Sequence, residues 1–211
     1  MNNPPFPSPT PTGATPTPTV SPTGTPTPMS AVVPFLFTLN PGSRTISGNR
    51  VQQDGTLIPL SPPPVITDET PLEITSVGDA LVVAGERTLR AFLIDKESGA
   101  IRQTDSADVP MASELSVDPS SMTVRATSPA GAFSFRVAQG RLIARPADGN
   151  QDSAGETDRN RSTLDPTGKF FFVLDPSAAQ ITIYRVNGDQ LTVLESHPVS
   201  RGTSSIALAV P

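Results

Sequence analysis

The chain has 211 residues and a formal net charge of −5, with 25 prolines, no cysteine, no tryptophan and a single histidine. These figures exclude a disulfide framework, a thiolate metal site, a cysteine nucleophile and any mechanism that needs two histidines. An acidic chain without a basic stripe also lacks the electrostatic term behind nucleic-acid affinity, so no nucleic-acid partner is expected.

Ten of the prolines and eight threonines fall in the first thirty residues, and no charged side chain precedes Arg44. Proline removes backbone donors and Ser/Thr offer nothing to bury, so residues 1–31 read as a disordered, polyproline-like tail. Such a tail serves as a stalk, with hydroxyls open to glycosylation, or as a passive leader. No basic residue flanks a Pro-x-x-Pro, which argues against a proline-ligand role. Met1-Asn2-Asn3-Pro4-Pro5 has neither the basic start nor the apolar segment of a secretory signal. The tail nevertheless points outside the cytoplasm, to an extracellular, cell-surface or periplasmic location, with any export signal upstream of Met1. The longest apolar run, Ala31–Phe37, is far short of a membrane span.

From residue 32 the chain repeats. Gly55-Thr56-Leu57, Gly99-Ala100-Ile101, Gly140-Arg141-Leu142 and the looser Gly188-Asp189-Gln190-Leu191 stand 44, 41 and 49 residues apart at their apolar landmarks. An apolar strand precedes each: 35–39, 80–84, 122–126 and 170–174. Turns follow at Asn40-Pro41-Gly42, Ser128-Pro129-Ala130 and Asp175-Pro176-Ser177, where Asn, Asp or Ser caps the backbone and proline presets φ. A second strand comes next, at 45–51, 89–94, 132–137 and the clearly alternating 181–186. Hairpin glycines then lead into third strands at 57–60, 101–104, 142–145 and 191–195. Fourth strands follow at 72–76, 113–117, 161–164 and 205–210.

Four short antiparallel strands per ~45 residues is the blade of a β-propeller. The expected fold is therefore all-β: four four-stranded antiparallel blades, at about 33–79, 80–121, 122–168 and 169–211. In that phasing the chain enters at an innermost strand and leaves after an outermost one. A β-sandwich spaces its strands similarly, but the fixed period argues against it.

The phrase from Leu164-Asp165-Pro166-Thr167-Gly168-Lys169 through Phe170–Pro176 to Ile181–Val186 resembles the repeat of lactonase-like β-propellers, the 6-phosphogluconolactonase-type and YVTN-repeat proteins. Residues 35–60 fit the same pattern, and the two middle copies fit loosely. The resemblance implies seven blades, roughly 315 residues at this period, whereas this chain holds four. Three readings follow: a fragment of a longer propeller, a small closed ring, or a half-ring completed by a second copy.

Candidate chemistry is sparse. His197 precedes Pro198 and is the only histidine available to a Ser–His–Asp hydrolase; it otherwise reads as a loop residue. Asp148, Asn150 and Asp152 begin a calcium-loop spacing, but Ser153 and Arg159 break it, which favours a solvated acidic insertion. Arg87, Arg90, Arg125, Glu86 and Glu114 are the acids and bases a sugar-lactone hydrolase could use. Each strand arginine is expected to face outward, covering a blade. Phe133, Phe135 and Phe170–Phe172 are expected to pack between blades. No catalytic, cofactor-binding or metal-binding residue is assigned, and no cofactor is implied. The leading expectation is a non-enzymatic scaffold that binds a protein or glycan through its loops. The alternative is a lactonase-type hydrolase acting on a sugar lactone.

Overall fold

In a computed structural model, the chain divides between Ala31 and Val32 into two units. The structure describes residues 33–61, 65, 67–145, 161–188 and 190–211. The tail and the Asp148–Asp152 spacing lie outside them.

All sixteen expected strands are present. They form four antiparallel sheets of four. Sheet I is built from β1 (Phe35–Asn40), β2 (Thr45–Val51), β3 (Leu57–Pro59) and β16 (Ser205–Ala209), in the order β16-β1-β2-β3. Sheet II runs β4 (Pro71–Val77), β5 (Ala80–Gly85), β6 (Thr88–Ile94), β7 (Ile101–Asp108). Sheet III runs β8 (Glu114–Asp118), β9 (Thr123–Ser128), β10 (Gly131–Ala138), β11 (Arg141–Arg145). Sheet IV runs β12 (Ser162–Leu164), β13 (Phe170–Asp175), β14 (Gln180–Asn187), β15 (Gln190–Pro198).

The sheets differ from the expected units in phase. The strand placed outermost in each unit is the first strand of the next sheet, and the last of them, β16, pairs with β1 from Phe35↔Ala209 to Leu39↔Ser205. These first strands stand side by side, β12 by β16, β16 by β4 and β4 by β8. They line the centre, and β3, β7, β11 and β15 form the rim.

Three apolar clusters join neighbouring sheets. One packs Leu36, Val51 and Leu57 of sheet I on Phe170, Phe172 and Ile183 of sheet IV. A second packs Phe35, Phe37 and Leu39 of sheet I on Leu81, Phe92 and Ile94 of sheet II. The third packs Val82 and Leu89 of sheet II on Val124, Phe135 and Val137 of sheet III. Among the described residues no such cluster joins III to IV. The sheets therefore form an arc, IV–I–II–III. Burial shows the same thing: β1 and β5 are buried at every position, while β13 alternates buried and half-buried and β9 carries only two buried residues. Two-faced burial requires a neighbour on each side, and only I and II have one.

Turn chemistry is uniform. Asp54, Asp118, Asp165 and Asp175 each accept the hydroxyl and the amide of the Ser or Thr two residues on, at 2.5–3.0 Å. Their local hydrogen bonds fix the turn without help from distant contacts. Ser120 and Ser121 hold the exposed Asp118 carboxyl down at about 2. Burial pushes Asp165 upward, but the Thr167 hydroxyl and the amides of Phe170, Thr167 and Lys169 outweigh it and keep the carboxyl below its ordinary value.

The hairpin glycines have a second role. Gly55 and Gly99 adopt φ of +93° and +73°. A Cβ on Gly55 would lie 2.6 Å from the Phe170 ring, and one on Gly99 2.5 Å from the Phe35 ring. The glycine both permits the left-handed turn and lets it sit flat on the preceding sheet. Gly188, at φ +60°, has nothing within 4 Å of its would-be Cβ. Gly188→Ala should therefore cost only the backbone penalty, about 1 kcal/mol. Gly55→Ala should cost roughly 1–3 kcal/mol more from overpacking. Urea unfolding of the two variants checks the ranking, and equal costs would contradict it.

Candidate functional site

Outer strand β3 has three residues, against eight in β7 and nine in β15. Beside this short strand lies a cavity of about 550 Å³. Sheet I supplies most of its wall, completed by the 98–101 turn of sheet II and residues 197–200 at the end of β15. Phe37, Ile46, Leu60 and Ile101 form an apolar floor, with Ser47, Asn49, Ser98, His197 and Ser200 presenting polar atoms around it. Apart from His197, no acidic or basic side chain lines it among the described residues.

Several of these groups are held in place from behind. Asn40, 1% exposed, donates from Nδ2 to Ser47 Oγ at 2.9 Å and to Thr45 Oγ1 at 3.3 Å. Its Oδ1 accepts the Thr203 hydroxyl at 2.6 Å. The Ser98 hydroxyl donates to Asp95 at 2.7 Å, and that bond heads the causes lowering the Asp95 carboxyl.

His197 ends β15 opposite Ile181. It is a strand residue of the cavity wall, not a free loop histidine. Burial pushes its imidazole below the ordinary 6.5, and the Glu195 carboxylate only partly opposes this. The ring is thus neutral at pH 7, free to accept a hydrogen bond. Among the described residues no second acid or base stands with it in the cavity wall.

The other candidates do not converge. Arg90 departs most from expectation. It is buried, and its guanidinium pairs with Glu69 Oε1 at 3.3 Å and with Asp68. Glu69, 4% exposed, also accepts the Arg87 amide at 2.9 Å and the Thr88 hydroxyl. Gly85 is the residue that leaves room for it, since a Cβ there would lie 2.5 Å from Glu69 Oε1. The carboxylate ties the 67–70 segment to the β5–β6 turn, a structural task that leaves no lone pair facing a ligand. The Arg87 side chain is 79% exposed. Glu86 is exposed, while Arg125 and Glu114 lie half-buried on sheet III. The expected aromatic packing holds for Phe135, Phe170 and Phe172 and, more loosely, for the partly buried Phe133. Phe171 turns the other way, its ring 6.5 Å from Tyr184.

No group of three or more His, Cys, Asp or Glu that could hold a metal ion occurs among the described residues. No helix there is long and apolar enough to cross a membrane.

No protein-family model matches the chain, and no curated protein matches it. Among solved structures it is similar to the periplasmic gluconolactonase PpgL of Pseudomonas aeruginosa, with 19% identity over 84% of this chain and 54% of that one, at a TM-score of 0.43. A putative 6-phosphogluconolactonase of Bacteroides uniformis matches at 19% identity, 82% and 56% coverage and a TM-score of 0.39. One of Bacteroides fragilis matches at 18%, 84% and 58%, with a TM-score of 0.41. The chain spans a little over half the length of these structures.

Two outcomes follow from the buried groups. Arg90→Met takes from the buried Glu69 carboxyl one of its two ion-pair partners, leaving Arg87 at 3.6 Å, and should cost about 3 kcal/mol in denaturant unfolding; a loss under 1 kcal/mol would refute the structural role. For His197 the folded state disfavours the proton. Stability is full above the unfolded value of 6.5 and falls as pH drops from there through the lower folded value. The decline in thermal midpoint between pH 7 and 5 should be smaller in His197→Gln than in the parent chain.

Proposed function

We propose that the domain binds a small, neutral, hydroxyl-rich ligand of the sugar or sugar-lactone class in the cavity beside β3. The uncharged lining carries this reading. A pyranose-sized ring offers an apolar face and a rim of hydroxyls; Phe37, Leu60 and Ile101 match the first, and Ser47, Asn49 and Ser200 the second. A phosphorylated or carboxylated ligand would be desolvated there with no countercharge. The Pro/Thr tail accords with a protein of the periplasm or cell exterior that works by binding, as the scaffold for a protein or glycan expected from sequence would.

A second reading is hydrolysis of a neutral lactone, favoured by the neutral imidazole of His197 in the wall. There His197 would take a proton from water as the water oxygen adds to the lactone carbonyl. The ring C–O bond would then break, and the proton would pass to the leaving alkoxide. Gluconolactonase and 6-phosphogluconolactonase names among the similar structures belong to the same reaction class.

Calorimetry with neutral monosaccharides and aldonolactones, beside pH-stat hydrolysis above the spontaneous rate, separates the two. Saturable binding without turnover, weakened at least tenfold by Asn49→Leu, supports the binding domain. Turnover that disappears in His197→Ala selects the hydrolase. Tighter binding of a phosphorylated sugar than of its neutral parent would sink both.

A further inference from the structure

Because the four sheets share one strand pattern, each can be compared with the others position by position. On sheet I, Asn49 lies opposite Leu36; the same place is taken by Phe92 opposite Leu81, Phe135 opposite Val124 and Tyr184 opposite Phe171. Thr38 lies opposite Ser47, and its place is taken by Val83, Ala126 and Val173. Where sheet II meets sheet I, Val83 and Phe92 join the apolar cluster between them. Where sheet III meets sheet II, Ala126 and Phe135 do the same. Where sheet I meets sheet IV, Leu36 and Val51 join the cluster, but Thr38 and Asn49 do not. Sheet I alone puts two polar side chains where the repeat has an aromatic ring and an aliphatic group.

Both side chains are deeply placed, Thr38 at 1% and Asn49 at 5% exposed, and both line the cavity beside β3. Among the described residues neither has a side-chain hydrogen-bond partner. Their neighbour Ser47, by contrast, is held by Asn40 at 2.9 Å. A buried polar group without a partner destabilises a fold, and the residues of the other three sheets would not. Positions that break a fold's own packing rule in this way mark a functional site. Asn49 also leaves unfilled the space that a ring takes in its counterparts, beside the already short β3.

The chemistry of the pair narrows what it can hold. A carboxamide offers an acceptor and a donor side by side, and a hydroxyl serves as either. Two neighbouring sugar hydroxyls match that set, one donating to Asn49 Oδ1 and the other accepting from Nδ2. Thr38, on the adjoining strand, supplies a further partner. A phosphate or carboxylate brings acceptors only and would leave Asn49 Oδ1 unpaired. On the sugar-binding reading of the cavity, on which this depends, we propose that Thr38 and Asn49 are its specificity-determining pair and select ligands with two free neighbouring hydroxyls.

Calorimetry of the full chain with D-glucose, D-galactose and D-mannose, and with their monodeoxy derivatives, tests the selection. Removing either of two neighbouring hydroxyls should weaken binding at least tenfold. Thr38→Val should weaken binding of the intact sugar at least tenfold, and Thr38→Ser, which restores the hydroxyl, should recover it to within about threefold. Thr38→Val and Asn49→Leu should each raise the thermal midpoint of the ligand-free protein by about 2–4 °C, because each removes an unpartnered polar group. Binding by the parent chain that Thr38→Val leaves unchanged, or that no neighbouring pair of deoxygenations weakens, would overturn the pair's role and leave the sugar reading standing. A midpoint that falls in both variants would assign the two side chains to the fold instead. No binding of any of these sugars by the parent chain would sink the sugar reading, and the selection with it.

Discussion

The pairing of β16 with β1 organises everything else. It puts strands from opposite ends of the described chain into one sheet, so sheet I sits inside the arc with neighbours on both faces. The break in the arc then falls between β11 and β12, at an internal junction, and not where the chain enters or leaves sheet I. Such long-range antiparallel pairing carries a large closure entropy, which the dense apolar burial of Phe35, Leu36, Phe37 and Leu39 offsets at roughly 1.5–3 kcal/mol per side chain.

The same sheet carries the cavity. Its rim strand β3 stops after three residues while both flanking rim strands run on, leaving a recess whose walls come from three sheets. Because sheet I is covered on both faces, those walls are backed by packed side chains and by the Asn40–Thr203–Ser47 hydrogen bonds. A site on a terminal sheet would lack that support. Rigid backing matters for a ligand held by hydroxyls, since each misplaced hydrogen bond returns little net free energy.

Strands and turns were legible in the residues because their causes are local. Period-two alternation at 181–186 marks β14, and the Asp-Pro-Ser and Asp-Pro-Thr turns close on themselves through one carboxylate. The hairpin glycines at 55, 99, 140 and 188 were equally visible, and all four take positive φ. The site was much less legible. His197 stands out in the sequence only as the one histidine, and nothing in its neighbours marks it as part of a cavity wall. Ser47, Asn49 and Ser98 carry no motif at all, since the recess is shape left by a short strand. Arg90 looked like a surface charge because arginines on strands are usually outward; its partners Asp68 and Glu69 lie some twenty residues back, and only packing brings them together.

Local chemistry is enough to specify an all-β domain whose sixteen described strands fall in four repeats, with turn chemistry written into the copies. Tertiary structure alone decided the phase of the sheets, the openness of the arc and the location of the cavity. The physical reason is the range of the interactions. Turn hydrogen bonds and side-chain alternation act over two to five residues, so they can be read one segment at a time. Whether an apolar face is covered depends on which distant sheet lies against it. Leu57, Ile101, Leu142 and Leu191 follow similar hairpin glycines along the chain, yet the first three pack against a neighbouring sheet while Leu191 is 52% exposed.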